Sequence, residues 1–162
     1  MYGRSKLEGE QAIIKSPLER YYIVRTSWLY GPNGNNFVKT IIRLASEREE
    51  LGIVADQLGT PTYTGDLAEA IISLVTRHPS PTYGIYHFSN EGECSWYDFS
   101  LEIISQLREQ NIEPKVKLIK PLRTDQYPVP AKRPAYSVLS KEKYKAATGH
   151  DVPEWKQSLR EY

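Results

Sequence analysis

The chain has 162 residues, 40% of them hydrophobic and 25% charged, which suffices for one ordinary domain with a real core and argues against disorder. Its 21 basic and 20 acidic residues nearly cancel, so there is no electrostatic footprint for nucleic acid or for an anionic membrane. A lone cysteine, Cys94, excludes an internal disulfide, and no apolar run approaches the roughly 18–20 residues that span a bilayer. The N-terminus lacks the basic-then-apolar layout of a signal peptide, and a cytoplasmic protein is the expectation.

Residues 2–14 carry Leu7, Ala12 and Ile13 among charges and read as a helix that Pro17 ends. Residues 21–26, Tyr-Tyr-Ile-Val-Arg-Thr, are the β-branched and aromatic run of a buried strand, stopped by the turn cluster at 31–36. Phe37, Ile41, Ile42, Leu44 and Ala45 then recur at helical spacing. Ile53-Val54-Ala55 is a second strand, leading into a Gly59-Thr60-Pro61 loop. Asp66 caps or opens a helix from 67 to about 76, with Leu67, Ala70, Ile71, Leu74 and Val75 inward.

Residues 83–88 form a third strand, and Ser95 caps a helix bearing Trp96, Phe99, Leu101, Ile103, Ile104 and Leu107. Residues 116–119 alternate as an edge strand does, and the prolines between 121 and 134 predict a surface loop. A short helix over 140–148 ends at Gly149, and a final one from about 153 is anchored by Trp155 and Leu159. Strands alternating with helices give an α/β fold with a partly parallel sheet.

Tyr2 and Lys6 stand four apart, hence on one face of the first helix. An ammonium one turn from a phenol favours the phenolate and suits the tyrosine to exchanging a proton with a carbonyl or alcohol oxygen. Any helix can set such residues four apart, so the pair alone does not decide. His78, His87 and His150 lack metal-ligand spacing, and Cys94 has no basic partner in sequence, so a buried or half-buried thiol is expected.

Three blocks in order, Tyr2-Gly3-Arg4-Ser5-Lys6, then Arg25-Thr26-Ser27-Trp28, then Asp56-Gln57-Leu58-Gly59-Thr60-Pro61-Thr62, carry a resemblance over nearly the whole chain. It resembles the dTDP-4-dehydrorhamnose reductases, extended members of the short-chain dehydrogenase/reductase superfamily, and within them only the C-terminal part. The glycine-rich phosphate turn of a Rossmann domain is not in the sequence, so the first half of the Rossmann sheet is expected to lie outside this chain. The resemblance implies residues 1–52 as a remnant of the Rossmann domain and 53–162 as mostly the nucleotide-sugar-binding part.

By the same resemblance, Tyr2 and Lys6 are the catalytic pair for reducing dTDP-4-dehydro-L-rhamnose to dTDP-L-rhamnose with NADPH (or NADH). Tyr2, Lys6, Arg25 and Thr26 are placed at the cofactor. Trp28, Asn36, Phe37, Gln57, Thr62 and Arg133 are placed at the substrate. On residue type alone, Arg25 suits a structural ion pair, Thr26 and Ser27 suit local backbone partners, and Asn36 suits a helix cap as well as a phosphate site. An arginine fork is a natural clamp for pyrophosphate, which favours Arg133. The resemblance also leaves open Mg²⁺, held through glutamates at a dimer contact in some members, with no positions assigned to it here, and a homo-oligomer. The partner expected is a nucleotide sugar, with no nucleic acid and no membrane. Two alternatives stand: another extended reductase or epimerase acting on a different nucleotide sugar, and a non-catalytic subunit such as the β regulatory subunit of methionine adenosyltransferase. Isolated, the chain is expected to bind NADPH poorly, to be inactive and to self-associate.

Overall fold

The structure, a computed structural model, describes residues 2–76, 82–127 and 133–162, and of Tyr2 the backbone only. The order is α1 (Tyr2–Ile14), β1 (Tyr22–Arg25), β2 (Leu29–Tyr30), α2 (Phe37–Glu47), β3 (Glu50–Val54), β4 (Leu58–Gly59), β5 (Thr62–Tyr63), α3 (Thr64–Thr76), β6 (Gly84–His87), β7 (Cys94–Ser95), α4 (Trp96–Glu109), β8 (Leu118–Leu122), a 3₁₀ turn (Thr124–Gln126), α5 (Glu142–Thr148) and α6 (Trp155–Glu161). Among the described residues the strands pair two by two. β1–β6, β2–β5 and β3–β8 are parallel and β4–β7 is antiparallel. No helix of the described residues is long and apolar enough to cross a membrane.

Two apolar clusters hold these elements. One joins α2, α4 and α6 through Val38, Ile41, Ala45, Phe99, Ile103 and Leu159. The other gathers Ala70, Leu74, Tyr86, Phe88, Tyr144 and Val152, with Tyr22 and Val24 of β1 packed against it. Because β1 pairs with β6, in the register Tyr22↔Gly84 to Arg25↔His87, residues before and after position 52 share one sheet.

Local chemistry explains the boundaries. Asn36, extended at φ −149°, accepts a hydrogen bond from Lys39 N and starts α2. Ser95 and Asp98 cap α4 reciprocally, each side chain taking the other's backbone N–H. Gly149, at φ +66°, ends α5 in the left-handed region where glycine costs least.

Several expectations need correction. α3 begins at Thr64, two residues before Asp66, whose carboxylate is buried and accepts from the Asn90 amide. The inward stripe is Asp66, Ala70 and Leu74, so Ile71 and Val75, one residue further round, stand 44% and 61% exposed. The 116–119 strand lies two residues later, at Leu118–Leu122, with Val116 buried just ahead of it. It therefore runs into the stretch expected to be loop. Pro121 is tolerated because β8 is an edge strand, where one missing N–H breaks no inner ladder. β1, expected to be buried, is half-buried throughout, with one strand partner among the described residues. Pro128 and Pro130, like His78, lie outside the described residues.

Candidate functional site

The residues brought together lie at the ends of β1, β3 and β4 and at the start of α4. Trp28, just past β1, has φ +48°, a left-handed backbone that a tryptophan rarely adopts and that the surroundings must impose. They do so from several sides. Thr62 N donates to Trp28 O, Thr62 Oγ1 donates to Ser27 O at 2.6 Å, and Ser27 Oγ donates to Thr60 O. The indole lies flat on Trp96, with ring centroids 3.5 Å apart and planes 13° from parallel. Gly59 permits this, since a Cβ there would stand 2.6 Å from Trp28 Cε2 and Cζ2. Trp96 in turn meets Phe37 at 4.5 Å, and Phe37 stacks on buried Phe99 at 5.5 Å, so the aromatic row is rooted in the core.

Two cavities flank this row. The larger, about 450 Å³, is walled by Phe37, Ile53, Val54, Trp96 and Tyr127. The smaller, about 190 Å³, lies against Ser27, Trp28, Pro134 and Ser137. Gln57, Trp96 and Arg133 line both, so the two are lobes of one site. Arg133 is exposed there and has no ion-pair partner among the described residues. Gln57 is only 6% exposed, with Nε2 donating to Thr124 Oγ1 at 3.0 Å. Asp56 beside it accepts from both Thr124 N and Thr124 Oγ1, and those bonds hold its carboxyl below the ordinary range.

Of the expected substrate residues, Trp28, Phe37, Gln57 and Arg133 meet at this site. Asn36 and Thr62 do not line it. The Asn36 amide donates to Gly31 O and its oxygen caps α2, while fully buried Thr62 is spent on Ser27. Trp96 covers one face of the Trp28 indole, and Gly59 lies close against Cε2 and Cζ2 of its ring. Trp96 and Tyr127 were missing from the expectation. An aromatic in the first turn after a capping serine was a usable signal for Trp96; Tyr127 sits among prolines and gave none.

The residues expected at the cofactor are placed differently. Arg25 makes a two-pronged pair with Glu10 of α1, at 2.9 and 2.5 Å, and Thr26 Oγ1 bonds Thr62 Oγ1 at 3.1 Å. Neither lines either lobe. α1 begins at Tyr2 and carries Lys6 one turn on, exposed; the Tyr2 side chain lies outside the described residues. Cys94 is buried, its thiol pushed up to about 12 by that burial and by nearby Asp98, and is no nucleophile at neutral pH. Among the described residues no three His, Cys, Asp or Glu side chains cluster as a metal site.

The family model for the RmlD substrate binding domain matches residues 1–162. The chain belongs to that family. It is 43% identical over 164 residues to a dTDP-4-dehydrorhamnose reductase of Aggregatibacter actinomycetemcomitans, covering 99% of this chain and 55% of that protein. It is 44% identical to the spore coat polysaccharide biosynthesis protein SpsK of Bacillus subtilis, covering 100% and 53%. The solved dTDP-4-dehydrorhamnose reductase from Bacillus anthracis, in complex with NADP, superposes with a TM-score of 0.87 at 42% identity, covering 99% of this chain and 53% of that one. The α/β fold is therefore that of these reductases, and the chain spans about half the length of the curated relatives it matches. The 1–52 and 53–162 parts expected from sequence both fall within the RmlD substrate binding domain match.

Proposed function

We propose that this chain is the nucleotide-sugar-binding part of a dTDP-4-dehydrorhamnose reductase, which reduces the 4-keto group of dTDP-4-dehydro-L-rhamnose to give dTDP-L-rhamnose. The observation that carries this reading is the bilobed cavity with Gln57, Trp96 and Arg133 at its waist. A flat base suits the larger, aromatic-walled lobe, where Phe37, Trp96 and Tyr127 offer ring faces and edges. A guanidinium at the waist suits the diphosphate. The hexose then falls in the smaller lobe, beside Trp28 and Ser27.

In the reductase, NADPH supplies hydride to the carbonyl carbon. Arg25 and Thr26 are engaged with Glu10 and Thr62, and the sequence holds no glycine-rich turn, so these residues do not enclose that cofactor on their own. What the chain contributes is grip and a proton. Tyr2, on the same helical face as Lys6, gives its phenolic proton to the oxygen that becomes the hydroxyl, and the Lys6 ammonium stabilises the phenolate left behind. The work belongs where nucleotide sugars are made, in the cytoplasm.

Calorimetric titration of this chain tests the reading. dTDP-L-rhamnose should bind with a micromolar Kd and UDP-glucose at least about ten-fold more weakly, a difference of ~1.4 kcal/mol. No binding of either, or equal binding of both, would sink it. In a reductase of the relatives' full length, Tyr2→Phe should abolish turnover and leave the titration unchanged.

A further inference from the structure

Gln57 offers the site a carboxamide, and which end of it faces the ligand decides what it can recognise. The hydrogen bonds around it settle the orientation. An ionised carboxylate only accepts, so both the Thr124 N–H and the Thr124 hydroxyl proton, the latter at 2.7 Å, point to Asp56. The hydroxyl oxygen is left with lone pairs only, and the Gln57 group facing it at 3.0 Å must donate; that is the Nε2 amide. Gln57 Oε1 is thereby turned away from Thr124, with no partner among the described residues, at a position lining both lobes.

We infer that Asp56 and Thr124 are positioning residues: they lock Gln57 with its carbonyl oxygen towards the cavity, so that it accepts a hydrogen bond from a hydroxyl of the bound hexose. This rests on the nucleotide-sugar reading above. A carbonyl oxygen repels phosphate oxygens, which leaves the diphosphate to Arg133; the ligand's remaining donors are the thymine N3–H, the deoxyribose hydroxyl and the hexose hydroxyls, and the last are assigned to Gln57 because it also lines the smaller, hexose lobe. The same strand-to-turn lacing, with Ala55 N on Leu122 O and Arg123 N on Gln126 Oε1, holds the relay rigid.

The experiment compares dTDP-L-rhamnose with dTDP, which lacks the hexose, on the full chain. Thr124→Val keeps the shape and removes the hydroxyl. It should weaken dTDP-L-rhamnose about ten-fold, as expected when one buried polar group is left mispaired, and change dTDP less than about two-fold. Thr124→Ser should restore wild-type binding of both. Asp56→Asn, which lets the Thr124 hydroxyl turn and Gln57 flip, should show the same selective loss and serves if Thr124→Val does not fold. Equal weakening of both ligands, or no weakening of either, would overturn the inference while wild-type binding keeps the reading of the site. A wild-type chain that binds neither ligand overturns both.

Discussion

The cluster under the cavity and the cluster around β1 use similar residues yet are closed to different degrees. Under the cavity, Tyr30, Ile41, Ala45 and Phe99 are at most 1% exposed, and α2, α4 and α6 pack around them. Around β1, Tyr86 and Phe88 are buried, but the strand itself is half-buried, and Ile72 and Val75 of α3 stand 59% and 61% exposed. α1 is more open still: every described side chain on it except Glu10 is exposed, Leu7 and Ile14 included. Local stability follows burial, so Trp28, Phe37, Gln57 and Trp96 of the proposed ligand site sit on the rigid side, Arg133 and Tyr127 are exposed at its rim, and the proposed proton donor sits on the soft α1.

The largest effect that would break this comparison is a core truncation under the cavity. Phe99→Ala empties the space that backs Tyr30, Phe37 and Trp155, and should cost about 3–5 kcal/mol in urea unfolding and abolish nucleotide-sugar binding. Val75→Ser on the open side should stay within about 0.5 kcal/mol. Equal losses would mean that the two clusters are closed alike.

A smaller effect sharpens the comparison within the site. Gly59→Ala puts a methyl 2.6 Å from the Trp28 ring and 2.9 Å from Ser137 Oγ, so the indole must leave Trp96. Overpacking of this kind costs about 1–3 kcal/mol. The stacked pair should give a far-ultraviolet circular dichroism couplet that the variant loses along with dTDP-L-rhamnose binding. A retained couplet would show that the site tolerates the methyl and that the strained Trp28 backbone is not held by this contact.

How far the sequence could be read follows from which physics decides each feature. Helices with a local signature, such as the capped starts at Asn36 and Ser95 and the Gly149 stop, are legible because their cause lies within four residues. Strand β8 is not, because Pro121 argues against a strand locally and only pairing with β3 overrides it. Of the residues that line the cavity, Trp28 and Gln57 stand in motif blocks, Phe37 at a helix start and Arg133 in a stretch of prolines, whereas the Asp56–Thr124–Gln57 relay joins residues 67 and 68 apart and needs the fold. Thr26, Asn36 and Thr62 share one behaviour: as short hydroxyl and amide side chains at strand and helix ends, they bond backbone or hydroxyl partners nearby.

The smallest effect concerns how α1 is tied to the sheet. Glu10 takes both prongs of Arg25, which holds its carboxyl below the ordinary 4.5. A depressed folded pKa means that the tie is fully present above that ordinary value and is lost as pH falls through the lower folded one. His87, opposite Arg25 across the β1–β6 pair, is pushed below 6.5 by burial first and by Arg25 second. It therefore charges only in acid, and from that point repels the same guanidinium. Hydrogen-exchange protection factors of α1 amides should thus fall about two- to five-fold on acidification, as His87 gains its proton and the Glu10 carboxylate is neutralised. Glu10→Gln should remove the carboxylate's share of that fall and leave dTDP-L-rhamnose binding at neutral pH unchanged, because neither Glu10 nor Arg25 lines the cavity. If binding fell with α1 protection, the soft side would be coupled to the rigid one and the separation of grip from chemistry would be wrong.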